Sequence, residues 1–255
     1  LTFYPNSIYV FILFILLNFI TSLRIVETLN IFSKKKIFLL YFFEIFSKTQ
    51  LFGLIVPAAG FLSRTAILTT NFKIKINQII GSYLLMIFMD AVLILSSIFI
   101  IDFKFDLLIY FILFISFLLF FLNRVRLNNL NFFSFNEILK TIKIIVCKKL
   151  FLKIIFIFII KFLLLISVIK ILCILLNFNF DLKLVLIFSF FQNILDIVKI
   201  TPQNLFIGEY IFGLIAKFSL YSSYEGVILK IFYRLFENLS YLVISLYKLT
   251  KIKRL

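Results

Sequence analysis

Leu51-Phe52-Gly53-Leu54-Ile55-Val56-Pro57-Ala58-Ala59-Gly60-Phe61-Leu62-Ser63-Arg64 sits inside a long apolar run, residues 37–80, and interrupts it. Proline lacks the backbone N–H that a helix interior needs, and glycine weakens a helix through its conformational freedom. The whole chain has only 6 Gly and 3 Pro. Gly53, Pro57 and Gly60 fall in this stretch, and Pro202, Gly208 and Gly213 fall in a second one. Small residues gathered in two places imply a backbone requirement at each.

Around these breaks the chain is strongly apolar. Of its 255 residues 64% are hydrophobic, and the mean hydropathy is +1.18. An ordinary globular domain is roughly 45–50% apolar, so the excess is expected to face lipid in a multi-pass membrane protein. His is absent, which removes imidazole acid/base chemistry, zinc–histidine sites and His-dependent triads. No cofactor and no metal are expected. Cys147 and Cys173 lie in or beside one apolar stretch and read as small core residues. The charge of +16 sits between apolar spans, where it sets topology and meets anionic headgroups and not nucleic acid.

The first span, about Pro5–Thr21, has no basic n-region or cleavage site, so it reads as a membrane helix and not a signal peptide. The chain opens on Leu1 and not Met, so further N-terminal sequence is expected. Clean spans follow at Ile79–Ile101 and Leu107–Leu122, and a long one at Leu150–Leu176. The last span is about Tyr224–Tyr247, and Phe135–Lys149 reads as an amphipathic interfacial helix.

Basic connections stay cytoplasmic. That puts Arg24–Lys36, Asn123–Lys149 and Lys248–Arg254 inside, and Asp102–Asp106 and Asn177–Lys183 outside. Residues 37–80 must then enter from the cytoplasm and return to it, turning at Pro57–Gly60. By the same count residues 184–221 enter from the outside and return, turning near Thr201–Gly208. The expectation is one all-α domain over residues 1–255, with about five full transmembrane helices and two re-entrant broken-helix hairpins of opposite orientation. Such opposed breaks favour a site near the midplane. In the plainer alternative, each break is a surface loop and the helices simply cross.

Ile200-Thr201-Pro202-Gln203-Asn204-Leu205-Phe206-Ile207-Gly208-Glu209 resembles the "TPGNLGxxE" signature in the membrane half of the lysylphosphatidylglycerol synthase, or flippase-like, family. Val56-Pro57-Ala58-Ala59-Gly60 with Arg64 resembles that family's first break, and Arg234 its late Arg. Gln203 and Phe206 depart from the pattern, which usually has Gly at both. The synthase members carry a soluble C-terminal aminoacyl-transfer domain, and none is read after Leu255. The resemblance therefore implies lipid translocation in a bacterial inner membrane, not lipid aminoacylation.

Charges inside a bilayer need partners or a wet cavity. Arg64 and Glu209 each follow a break. Arg64 and Arg234 are candidates to hold a lipid phosphate, with Glu209 orienting one of them or meeting a cationic headgroup. Alternatively, an Arg–Glu pair locks the hairpins together. Glu237 is three residues from Arg234 and reads as an intrahelical partner or a headgroup ligand. Asp90 is alone in its span and needs a partner, Lys161 or Arg234. Pro57, Gly60, Pro202, Asn204 and Gly208 shape the breaks.

The reading is a non-enzymatic translocase for an anionic or glycosylated lipid, with a membrane phospholipid or lipid-linked glycan as partner. The alternative is an accessory subunit, or scaffold, of a lipid-modifying enzyme or glycosyltransferase, acting with that enzyme or as a homo-oligomer. A lipid-modifying enzyme is the third class. The missing His and the lack of closely spaced acids argue against it.

Overall fold

The computed structural model describes residues 3–56, 59–101, 135–146, 151–197 and 204–246. Among them every regular element is an α-helix. They are α1 (Phe3–Leu29), α2 (Leu39–Phe52), α3 (Ala59–Phe72), α4 (Ile76–Ile101), α5 (Phe135–Val146), α6 (Phe151–Leu175), α7 (Leu182–Ile197), α8 (Ile207–Phe218) and α9 (Ser223–Leu246). Two stretches, Ser7–Leu29 and Leu152–Leu175, are long and apolar enough to cross a bilayer. The expected span 107–122, the loop 102–106, the basic tail, Cys147, Pro57 and Pro202 lie outside the described residues.

The first break divides the apolar run into two helices of 14 residues each. At 1.5 Å per residue each rises about 21 Å, short of the roughly 30 Å of a hydrocarbon core. They pack side by side. A Cβ at Gly60 would lie 2.5 Å from the backbone carbonyl oxygen of Thr49, so only glycine lets α3 start this close to α2. The second limb is shorter than expected. It stops at Phe72, Lys73 adopts a positive φ of 56°, and α4 starts at Ile76. The expected polar joint after Thr21 is also corrected. The residues of 22–29 continue α1 because their side chains pack inward, and Arg24 is buried within it.

Among the described residues two main apolar cores result, beside a minor cluster of Phe162 and Leu186. One joins Val10, Phe14 and Leu17 of α1 to the C-terminal half of α6, to Phe188 of α7, Phe212 of α8 and Tyr233 of α9. The other joins Ile25 and Leu29 of α1 to Phe46 of α2, Leu68 of α3, Met86 of α4, Phe158 of α6 and Tyr241 of α9. The long helices α1, α6 and α9 run through both. The broken pairs do not: α2 and α3 belong to one core, and α7 and α8 to the other. Large apolar side chains are left exposed along the outer faces, including Ile8, Ile12 and Leu16 of α1 and Leu152, Phe156 and Leu163 of α6. α5 is amphipathic, burying Ile138, Thr141 and Ile145 and exposing Glu137, Lys140 and Lys143.

Candidate functional site

Where the two cores meet, the long helices turn polar. Asn18, Thr21 and Arg24 on α1, Lys161 on α6, and Lys230 and Glu237 on α9 face a cavity of about 580 Å³. Asp90 on α4 and Gln192 and Asn193 on α7 complete this layer. Both helix breaks border it. Gln50, Phe61 and Arg64 flank the first, and Leu195 and Asn204 flank the second. This volume falls within the roughly 300–1,000 Å³ of small-molecule pockets.

Asp90 anchors the layer. One of its carboxylate oxygens accepts a 2.7 Å hydrogen bond from Arg24 Nη1, and the other lies 3.1 Å from Lys161 Nζ. Lys161 also donates to the side-chain carbonyl of Asn193. Of the two partners expected for Asp90, the structure brings in Lys161; Arg234 is engaged elsewhere. Arg24 was absent from the sequence candidates because it stood among the basic residues of the joint. Its guanidinium also rests over the Phe158 ring, 4.6 Å from the centroid.

Lys230 is the second residue that sequence reasoning passed over. It is buried, donates to Gln192 Oε1 at 2.5 Å, and sits near the rings of Phe212 and Tyr233. Only its position one turn before Arg234 marked it in the sequence. Gly208 makes room for this side chain, since a Cβ there would meet Lys230 Cε at 2.7 Å.

Arg64 is buried on the opposite wall. Thr49 Oγ1 accepts from its Nη1 at 3.3 Å, and the guanidinium stands 4.9 Å from the Phe46 centroid. Its Nε–H is buried with no acceptor. Glu237 also faces the cavity, accepting from Tyr241 Oη at 3.2 Å.

Arg234 and Glu209 take a different place. They pair with each other, with Nη2 3.1 Å from Oε2, and Arg234 also donates to the backbone carbonyl of Asn204 at 3.1 Å. Neither lines the cavity. Asn204, at a positive φ of 55°, in turn donates through its side-chain amide to the carbonyl of Leu195. The second break is therefore clipped to α7 on one side and to α9 on the other. The Arg–Glu pair joins α8 to α9 and does not join the two broken segments.

The described residues contain no cluster of His, Cys, Asp and Glu able to hold a metal ion. Cys173 is a free, buried thiol in the first core. No family model, curated protein or solved structure matches the chain.

Proposed function

We propose that the chain is a flippase-like lipid translocase of a bacterial inner membrane, with about five full spans and two opposed re-entrant hairpins. The observation that carries this reading is a charged cavity of about 580 Å³ set between two apolar cores and bordered by both helix breaks. Irregular backbone at membrane depth is stable only where protein buries it or where it lines a wet space. Two half-length pairs assigned to opposite cores fit the inverted arrangement of transporters whose site lies near the midplane. The signature-like residues at 56–64 and 200–209 support the same reading.

In this mechanism the headgroup occupies the polar layer while the acyl chains stay in lipid against the exposed apolar faces. The layer offers a headgroup buried cations and amides in place of water, which lowers the cost of crossing the hydrocarbon. Modest rocking of each broken pair against the long helices would open the layer to either leaflet.

The test is lipid movement in proteoliposomes. Purified protein should carry a fluorescent anionic phospholipid to the leaflet where dithionite quenches it, and Arg64→Gln should reduce the rate at least tenfold. Equal quenching with and without protein, in preparations that retain helical content, would reject transport. Chemical turnover of the lipid without movement would favour an enzyme.

A further inference from the structure

We infer that the ligand of the cavity carries an anionic oxygen group, a phosphate or a carboxylate, held by Arg64 and Tyr83, and that a neutral glycosylated lipid is not its occupant. The inference rests on the translocase reading and narrows it from an anionic or glycosylated lipid to an anionic one.

Arg64 carries the argument. A guanidinium does not give up its proton in a protein, so its charge is permanent. The residue is only 5% exposed, and a charge taken out of water is costly unless an opposite charge meets it. Three other cations find that partner within the protein: Arg24 and Lys161 close on Asp90, and Arg234 closes on Glu209. Among the described residues no carboxylate pairs with Arg64. Its neighbours are the neutral Thr49 hydroxyl, at 3.3 Å, and the Phe46 ring, 4.9 Å away at the centroid. Neither carries a counter-charge, and the Nε–H has no acceptor.

Tyr83 supplies the second group. It stands on α4, and its ring meets that of Phe61 edge to face with centroids 5.2 Å apart. Phe61 lies three residues before Arg64 on α3, so the two are neighbours on one side of that helix. The Tyr83 hydroxyl is buried with no hydrogen-bond partner. Phe61, Arg64 and Tyr83 all line the cavity. One wall therefore presents a fixed positive charge and a hydroxyl donor, both lacking an acceptor.

Arg24 Nε and Asn193 Nδ2 on the same lining are also buried donors without acceptors. Buried donors of this kind are rare in folded proteins. They add hydrogen bonds to any oxygen-rich occupant, a sugar included. Charge makes the selection. A sugar hydroxyl can accept from these donors but leaves the Arg64 charge unmatched. A phosphate or carboxylate accepts from them and neutralises it, and a guanidinium can grip two of its oxygens at once.

The experiment uses the full chain in dodecyl maltoside, an uncharged detergent, and measures binding by native mass spectrometry. The probes are dioleoyl phosphatidylglycerol and oleate as anionic lipids, monoglucosyl dioleoylglycerol as the neutral one, and inorganic phosphate as the free anion. At least one anionic lipid should bind about tenfold tighter than the glucosyl lipid. Arg64→Gln should reduce that preference to about twofold or less, Arg64→Lys should keep part of it, and Tyr83→Phe should weaken the anionic lipid severalfold. Lys143→Gln, on the exposed face of α5, should keep the parental preference, which separates the cavity from the general attraction of a basic protein for anions. Equal affinities for all the lipids overturn the inference. So does a preference left intact in Tyr83→Phe and Arg64→Gln proteins that melt at the parental temperature, or one lost equally in Lys143→Gln. Tighter binding of the glucosyl lipid also overturns it and leaves lipid translocation standing. Arg64-dependent binding of inorganic phosphate, with no binding of either anionic lipid, supports the oxyanion site and removes the translocase reading.

Discussion

Arg24 and Asp90, 66 residues apart, meet at 2.7 Å inside the helical assembly, and both side chains are almost fully buried. Lys161 closes on the other oxygen of the same carboxylate at 3.1 Å. One acid therefore ties α1 and α6 to α4 at the level of the cavity.

Asp90→Asn leaves two buried cations without their counter-charge. Removing one partner of a buried ion pair costs about 3–5 kcal/mol, so the melting temperature in detergent should fall sharply. Adding Arg24→Met and Lys161→Met should restore most of the loss, because an apolar replacement no longer carries unpaired charge. A triple variant as unstable as the single one would show that the helices are joined by something else.

Glu209 and Arg234 give a cleaner pairwise test. Glu209→Gln should destabilise, and the exchange Glu209→Arg with Arg234→Glu should recover part of the stability. A double-mutant cycle should return about 0.5–3 kcal/mol of coupling. Because neither residue lines the cavity, the exchanged protein should also keep most of its lipid movement. A cycle near zero would mean that the contact contributes little.

Gly60→Val probes the close approach of α3 to α2. The nearest obstacle is the backbone of Thr49, which cannot rotate away as a side chain tip can. Overpacking of this kind typically costs about 1–3 kcal/mol, read as a lower melting temperature. No change would show that the pair separates freely.

Lys153→Ala is the contrasting case. Its ion pair with Glu27, at 2.9 Å, is about half exposed on the lysine side and partly covered on the glutamate side. Exposed pairs are worth about 0.2–1 kcal/mol, and thermal unfolding should barely move.

The all-helical architecture was legible in the sequence, and among the described residues helices stop and restart at Phe52 and Ala59 and at Ile197 and Ile207, where the scarce prolines and glycines cluster. The pairing of Asp90 with Lys161 was legible for a similar reason: a lone acid in an apolar span demands a cation. Arg24 was not, since a basic residue just past an expected helix end looks like any other topological charge. What changed its meaning was the continuation of α1 to Leu29. Lys230 was hidden because its partner, Gln192, is 38 residues away on another helix. Tyr83 and Asn193 carry no pattern of their own, and only the geometry shows their unused donors. Glu237 and Arg234 lie one helical turn apart on α9, yet their roles diverge: Glu237 lines the cavity, whereas Arg234 is drawn to Glu209 of α8.

The 2.7 Å hydrogen bond from Asn18 to Ser240 spans 222 residues, and its two ends sit on the first and last of the described helices. The polar layer therefore has no complete wall until α9 has been made and docked. A chain emerging from the ribosome presents Arg24, Asp90 and Lys161 well before that moment. The half-built protein, with its ionic belt open on one flank, is the form in which these charges lack the shelter that the last helix provides.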